Sequence, residues 1–183
     1  MDTKFPSLPS PPNLASVFTA FPQGAKPLLE LHDVVLRGES PLTVSERELI
    51  AAHVSGLNAC GYCYAAHATI AEAYGIDTSI FEAMQEDIET ADIADKLKPL
   101  LAYVTKLTRT PSKVIAADAT AVYDAGWDER ALYDAITICA LFNFMNRIVE
   151  GTGCTVEAKT SVQKSGGSLD SYVDWGREAG FIE

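Results

Sequence analysis

Apolar residues recur at helical spacing along most of this chain, and strict alternation of apolar and polar residues is nearly absent. The pattern predicts six longer helices, over 25–36, 42–57, 60–75, 94–107, 113–123 and 128–149. Asp77 or Thr78 is a candidate cap for a shorter helix around Phe81, and 169–181 holds a last short helix. Glycine and proline end several of these segments, at Gly38, Gly75, Pro111, Gly126 and Gly151. The sequence therefore predicts an all-α fold of roughly seven helices.

The length of 183 residues suits one domain, and 48% of the residues are hydrophobic, enough for a full core. We expect a single domain over 1–183. Residues 1–12 hold four prolines and predict an extended N-terminal arm that avoids helix. The glycine-containing stretch "QKSGGSL" predicts a joint before a C-terminal extension over 163–183.

The formal charge of −11 disfavours binding to nucleic acid or to anionic membrane surfaces. The N-terminal residues do not resemble a signal peptide, and no segment reaches about 18 uninterrupted apolar residues. We therefore expect a cytoplasmic protein that binds neither nucleic acid nor membrane. In a reducing compartment, closely spaced cysteines are more often catalytic or metal-binding than structural disulfides.

The stretch "NACGYCYAAH" concentrates the candidate chemistry, with Cys60, Cys63 and His67 within eight residues. It follows a corner and begins a predicted helix, where the helix dipole stabilises a thiolate. This effect favours Cys60, the sulfur nearer the helix start. Cys63 and His67 are four residues apart and share a helix face, so the imidazole can take a proton from Cys63.

Glu48 lies on the preceding predicted helix. Thr43 and Glu46 have the spacing of a capping box, and so do Ser45 and Glu48. If Thr43 is the cap, the Glu48 carboxylate is free for another role. In an antiparallel hairpin, Glu48 lies about 15 Å before the corner and His67 about 11 Å after it. A carboxylate at this distance can fix the imidazole tautomer, so Glu48, His67 and Cys63 are candidate members of a proton relay.

Other interpretations of the cysteine pair differ in strength. A c-type haem site requires histidine directly after the second cysteine, where this chain has Tyr64. A zinc site lacks an obvious fourth ligand, because Cys139 and Cys154 belong to another segment. No βαβ pattern precedes the motif, as a thioredoxin fold would require. A pair of packed cysteines without chemistry stays open.

Three other polar features have structural interpretations. His53 is expected in the core or at an interface, and Cys139 is expected as a small core residue. The polar residues of "NFMNR", among them Asn146, are expected mainly to tie neighbouring helices or subunits together.

The stretch "SERELIAAHVSGLNACGYCYAAH" resembles the signature of the AhpD-like alkylhydroperoxidases within the carboxymuconolactone decarboxylase superfamily. The signature is a glutamate twelve residues before Cys-x-x-Cys-x-x-x-His, here Glu48 before Cys60, Cys63 and His67. The chain length, "NFMNR" and "GTGCTV" are similar to the uncharacterised peroxidase-related branch. Decarboxylase members of the superfamily generally lack the dithiol.

The resemblance implies an all-helical homo-oligomer, a trimer or a hexamer, that reduces organic hydroperoxides. Separately, no sequence signal for a cofactor is found, and we expect neither a cofactor nor a metal. The resemblance also implies that Cys63 attacks the peroxide, that Cys60 then forms a disulfide with it, and that Glu48 and His67 relay protons. An external dithiol or thiol protein would restore the enzyme. One departure is Tyr62, which stands where the best-studied members have histidine. The alternative function is a non-enzymatic redox sensor or structural helical oligomer whose cysteine pair is structural or binds zinc.

Overall fold

The computed structural model describes residues 4–77, 79–155 and 168–183, and all regular structure in these ranges is helical. The all-α prediction is confirmed. Within these ranges, a 3-10 turn at Pro111–Lys113 lies between the sixth and seventh of nine α-helices. In chain order these are α1 Leu14–Ala20, α2 Ala25–Arg37, α3 Val44–Leu57, α4 Gly61–Ala73, α5 Ser79–Glu86, α6 Leu97–Arg109, α7 Ala116–Asp124, α8 Glu129–Thr152 and α9 Tyr172–Glu178.

Helix α3 lies at the centre of the fold. Five consecutive positions, Leu49 to His53, are buried, so the helix is covered on all sides rather than along one stripe. It packs against α4 in an antiparallel hairpin and also contacts α5, α6 and α8. The capping box is confirmed: Thr43 Oγ1 accepts from Glu46 N at 3.2 Å, and Glu46 Oε2 accepts from Thr43 N at 2.8 Å. Glu48 is therefore free of any capping role.

Helix α8 is the longest helix in the described ranges, with 24 residues or about 36 Å. It begins after Asp128, whose side chain accepts from Ala131 N at 2.8 Å, and it ends at Gly153 in the left-handed conformation. By length and composition it could cross a membrane, but half of its most apolar window is buried inside the fold. It packs against α2, α3 and α6 as a core helix does.

In the N-terminal region, the sequence pattern predicts the non-helical residues 4–12 but does not predict helix α1. Residues 4–12 contain no helix, as the prolines predict, but Leu8 and Pro12 are buried against the rest of the chain. Helix α1 was not predicted, because its seven residues are too few for a clear periodicity. A local signal marks its start: Asn13 Oδ1 accepts from Ser16 N at 2.8 Å in a capping box.

The C-terminal helix α9 folds back onto α2. The Asp33 carboxylate on α2 accepts hydrogen bonds from Ser171 Oγ at 2.8 Å and from the backbone amides of Tyr172 and Val173. It therefore satisfies free amides at the start of α9. Most of the predicted joint, residues 163–167, and the candidate cap Thr78 lie outside the described residues.

Candidate functional site

The corner between α3 and α4 places the cysteine pair. It spans Asn58 to Cys60, and Ala59 has a φ of 55°, a left-handed conformation that is uncommon for residues other than glycine. Asn58 Nδ2 donates to Asn146 Oδ1 at 2.9 Å and to Asn143 Oδ1 at 3.2 Å. The corner is thus tied to α8, as was expected for the polar residues of that stretch.

Cys60 is the N-cap residue of α4 and Cys63 lies in its first turn; both are free, buried thiols. The Cys63 S–H donates to the Cys60 sulfur and lowers the pKa of Cys60, although burial opposes the shift. The same hydrogen bond, together with burial, raises the pKa of Cys63 well above its ordinary value. The pair thus places its first negative charge on Cys60, as the helix dipole predicts.

A small apolar cluster covers the two sulfurs, made up of Leu8, Val17, Val149 and Cys154. Tyr62 lies at its edge, and burial raises the pKa of its phenol to about 12. Tyr62 is therefore protonated at neutral pH and does not act as a base in place of a histidine.

The Glu48 carboxylate is completely buried and has three partners. His67 Nδ1 lies 2.6 Å from Oε2, Arg37 Nη1 lies 2.6 Å from Oε1, and the Tyr172 hydroxyl donates to Oε1 at 3.2 Å. Burial alone would raise the pKa of Glu48, but the charges of His67 and Arg37 and their hydrogen bonds outweigh it and hold that pKa below its ordinary value. Glu48 is therefore ionised at neutral pH.

The hydrogen bond to Glu48 fixes the tautomer of His67. Because an ionised carboxylate only accepts, Nδ1 bears a proton, and in the neutral form of the imidazole Nε2 has the lone pair. The ring packs edge-on against Phe142, with ring centres 4.3 Å apart and planes at 78°. The geometry therefore presents His67 as a proton acceptor at Nε2.

Cys63 and His67 line the same cavity of about 70 Å³, whereas Cys60 does not. Most of the lining is apolar, and no lysine or arginine is part of it among the described residues. The lining residues are Leu14, Leu29, His32, Tyr62, Cys63, Ala66, His67, Ile70, Phe142, Met145, Leu169, Tyr172 and Trp175.

Three residues at this site were not identified from the sequence: His32, Arg37 and Tyr172. Burial lowers the pKa of His32 to about 4, and its Nδ1 bonds to the Leu28 carbonyl oxygen at 2.7 Å, so the ring is neutral. Burial raises the pKa of Tyr172 well above its ordinary value, so the phenol stays a donor to Glu48. No motif spacing in the sequence points to these residues. Tyr172, for example, is 124 positions from its partner Glu48.

His53 and Cys139, for which the sequence predicts structural roles, lie outside the cavity. His53 is buried, and its Nε2 lies 2.7 Å from Thr105 Oγ1. Cys139 is also buried and contacts Thr108 Oγ1 at 3.2 Å. Both match their expected places in the core. In the part of the chain that the structure describes, no group of three His, Cys, Asp or Glu side chains is arranged to hold a metal ion.

Comparison with known proteins gives a family match over part of the chain and a shared fold. Residues 22–94 match the model of the carboxymuconolactone decarboxylase family. No curated protein matches the chain.

The solved structures that share its fold include three proteins of related description. An uncharacterized peroxidase-related protein from Silicibacter sp. TM1040 gives a TM-score of 0.72 at 24% identity, over 78% of this chain and 74% of that one. A second structure is from Ralstonia eutropha JMP134 and is described as an alkylhydroperoxidase AhpD core and an uncharacterized peroxidase-related protein. It gives a TM-score of 0.75 at 22% identity, over 96% of both chains. A protein of unknown function from Agrobacterium tumefaciens gives a TM-score of 0.66 at 16% identity, over 84% of this chain and 97% of that one.

Proposed function

Because residues 22–94 match the carboxymuconolactone decarboxylase family and the chain has the AhpD-like fold, we propose that it is a thiol-dependent peroxidase that reduces organic hydroperoxides. The observation that supports this most strongly is the position of Cys63, a buried thiol that lines an apolar cavity beside His67. His67 in turn bonds to an ionised carboxylate. A nucleophile, a base and a group that orients the base are thus held together.

The lining of the cavity favours a hydroperoxide over the lactone acids that decarboxylases would take. A lactone substrate with free carboxylates needs strong cationic partners, and the described lining has no lysine or arginine. An organic hydroperoxide is neutral and has one apolar group. Such a molecule can leave water for this cavity without a counter-ion.

In the first step, the Cys63 sulfur attacks the terminal oxygen of the hydroperoxide and breaks the O–O bond. The products are a sulfenic acid on Cys63 and an alkoxide, which takes up one proton to become an alcohol. At rest the Cys63 S–H donates a hydrogen bond to the Cys60 sulfur. Transfer of this proton to Cys60 makes Cys63 the thiolate, and therefore the nucleophile, without any change in the total charge of the pair. His67, oriented by Glu48, takes the single proton that the thiol pair loses when it becomes a monoanion, and then delivers this proton to the alkoxide.

In the second step, the Cys60 thiol attacks the sulfur of the sulfenic acid and releases water, which leaves a Cys60–Cys63 disulfide. The spacing of two intervening residues within one helical turn suits this ring closure. An external dithiol or thiol protein then reduces the disulfide. The sum is one hydroperoxide and one dithiol converted to one alcohol, one water and one disulfide.

Stopped-flow measurement of peroxide consumption by the reduced protein tests this proposal, with tert-butyl hydroperoxide as substrate. We expect one equivalent of peroxide per protein and a Cys60–Cys63 disulfide in the peptide map. Cys63→Ser should consume no peroxide. Cys60→Ser should stop at a sulfenic acid on Cys63 that dimedone traps.

Cys139→Ala is the matched control, because Cys139 is equally buried but lies away from the cavity. It should react like the unmodified protein. Reduced protein that consumes no hydroperoxide, or Cys63→Ser that consumes it at the original rate, would overturn the proposal. The homo-oligomer and the cytoplasmic location remain predictions, and light scattering on the purified chain would test the first.

A further inference from the structure

We infer that α9 and residues 169–171 directly before it form a wall that selects hydroperoxides by size and admits those with compact alkyl groups in preference to larger ones that also carry an aromatic ring. This inference rests on the proposed function and specifies its substrate class. Leu169, Tyr172 and Trp175 all line the cavity. They lie outside residues 22–94, where the chain matches its family.

Polar contacts with two other helices hold this wall in place. Asp33 on α2 binds the start of α9, as described above. Arg37 Nε donates to the Leu169 carbonyl oxygen at 2.7 Å, and the Tyr74 hydroxyl donates to Asp170 Oδ1 at 2.7 Å. Two residues on α2 and one after α4 thus fix the segment directly before α9.

Close packing sets the distance between α9 and α2. Gly176 is buried, and a Cβ atom at this position would lie 2.4 Å from Leu29 Cδ1 and 2.9 Å from Ile182 Cδ1. Since both distances are shorter than a van der Waals contact, only glycine lets α9 lie this close. Leu29 is itself a cavity-lining residue, so the same approach that seats α9 also narrows the cavity.

The size of the cavity determines which apolar group it can hold. An apolar cavity of about 150 Å³ binds benzene, and the cavity beside Cys63 has about half that volume, 70 Å³. A cumyl group, which has a phenyl ring in place of one methyl of tert-butyl, therefore has to displace a wall residue, whereas the smaller tert-butyl group does not. Trp175 has the largest side chain of the wall, and its ring packs against Phe181 with ring centres 5.2 Å apart.

Enlarging the wall tests this inference. We would measure kcat/KM for cumene hydroperoxide and for tert-butyl hydroperoxide with the unmodified protein and with Trp175→Ala. The original protein should have the higher kcat/KM for the tert-butyl compound. Trp175→Ala should shift the ratio of the two kcat/KM values towards cumene hydroperoxide by at least about tenfold, because an apolar pocket discriminates about 10- to 200-fold per methylene-sized change. Tyr133→Ala, which removes an aromatic ring that is 65% exposed on α8, should leave the ratio unchanged.

Leu169→Ala provides a second variant in case Trp175→Ala does not fold. It removes a smaller part of the wall and keeps the carbonyl group that Arg37 binds. It should shift the ratio in the same direction, and circular dichroism would show that each variant is folded.

Binding of the product alcohols gives a readout that needs no chemistry. Calorimetry with cumyl alcohol should show weak binding to the original protein and at least about tenfold tighter binding to Trp175→Ala. Unchanged ratios and unchanged cumyl alcohol affinity in both folded wall variants would overturn the inference while leaving the peroxidase proposal intact. Absence of peroxidase activity in the original protein, together with the expected change in alcohol affinity in the variants, would overturn the proposed function and support the wall.

Discussion

Replacement of Glu48 by glutamine should destabilise the fold by about 3 kcal/mol, because it leaves the Arg37 charge buried without its carboxylate. The carboxylate is fully buried and lies 2.6 Å from both Arg37 Nη1 and His67 Nδ1. Breaking a buried ion pair on one side costs about 3 to 5 kcal/mol. We expect the low end, because the Leu36 and Leu169 carbonyl oxygens still bind the guanidinium, at 2.9 and 2.7 Å.

Urea unfolding at fixed protein concentration measures the change, with Glu30→Gln on the exposed face of α2 as the matched control. The control should change the free energy of unfolding by less than about 0.5 kcal/mol. The double variant Arg37→Met with Glu48→Gln should be more stable than Glu48→Gln alone, because it removes the unpaired charge together with its partner.

The cost should also depend on pH. Since the folded-state pKa of Glu48 lies below its ordinary value, its contribution is fully present above the unfolded-state pKa of about 4.3. It is lost as the pH falls through the folded-state pKa. The difference between the original protein and Glu48→Gln should therefore be constant near neutrality and shrink in acid. A cost below about 1 kcal/mol at pH 7, or a difference that grows in acid, would refute the assignment of a buried, ionised Glu48.

Three further predictions concern the corner and the thiol pair. Cys63→Ala should raise the pKa of Cys60, whereas Cys63→Ser should keep that pKa low because the serine hydroxyl still donates a hydrogen bond. The ultraviolet absorbance of the thiolate during a pH titration measures this pKa in each variant. Equal Cys60 pKa values in the two variants would contradict Cys63 as the donor. Asn146→Leu should destabilise the fold by about 1 to 3 kcal/mol in urea, since it leaves Ser55 Oγ without a donor that now lies at 3.0 Å; a loss below about 0.5 kcal/mol would show that this bond contributes little. Ala59→Gly should stabilise the fold by about 1 kcal/mol at unchanged m-value, because glycine adopts a φ of 55° without strain; a lower urea midpoint would show that the corner is not strained.

The sequence predicts the part of the site that local spacing determines. Thr43, Glu46 and Glu48 belong to one helix start, and Cys63 and His67 are one helical turn apart, so helix geometry alone relates them. The hydrogen bond between Glu48 and His67 is found where the hairpin argument expects the two side chains to meet. The roles of these residues in a reaction remain a prediction.

The other half of the site depends on tertiary packing. Arg37 and Tyr172 reach the second carboxylate oxygen of Glu48 from α2 and α9. Nothing in the periodicity of either helix distinguishes a tyrosine that bonds to a buried carboxylate from one that packs in the core. His32 is hidden for the same reason, because a buried histidine on an amphipathic helix gives no local signal of the cavity that it faces.

The residues that cover Cys60 affect the rate law of disulfide reduction. Cys63 is reached from the cavity, but Cys60 lies within the cluster that contains Leu8, Val17 and Cys154 and has no exposed surface. A reductant that attacks the Cys60 sulfur must wait for Leu8 and its neighbours to move aside, so its rate depends on a local opening equilibrium. At high reductant concentration that rate should reach a plateau equal to the rate of opening, whereas peroxide entering on the Cys63 side does not depend on this step.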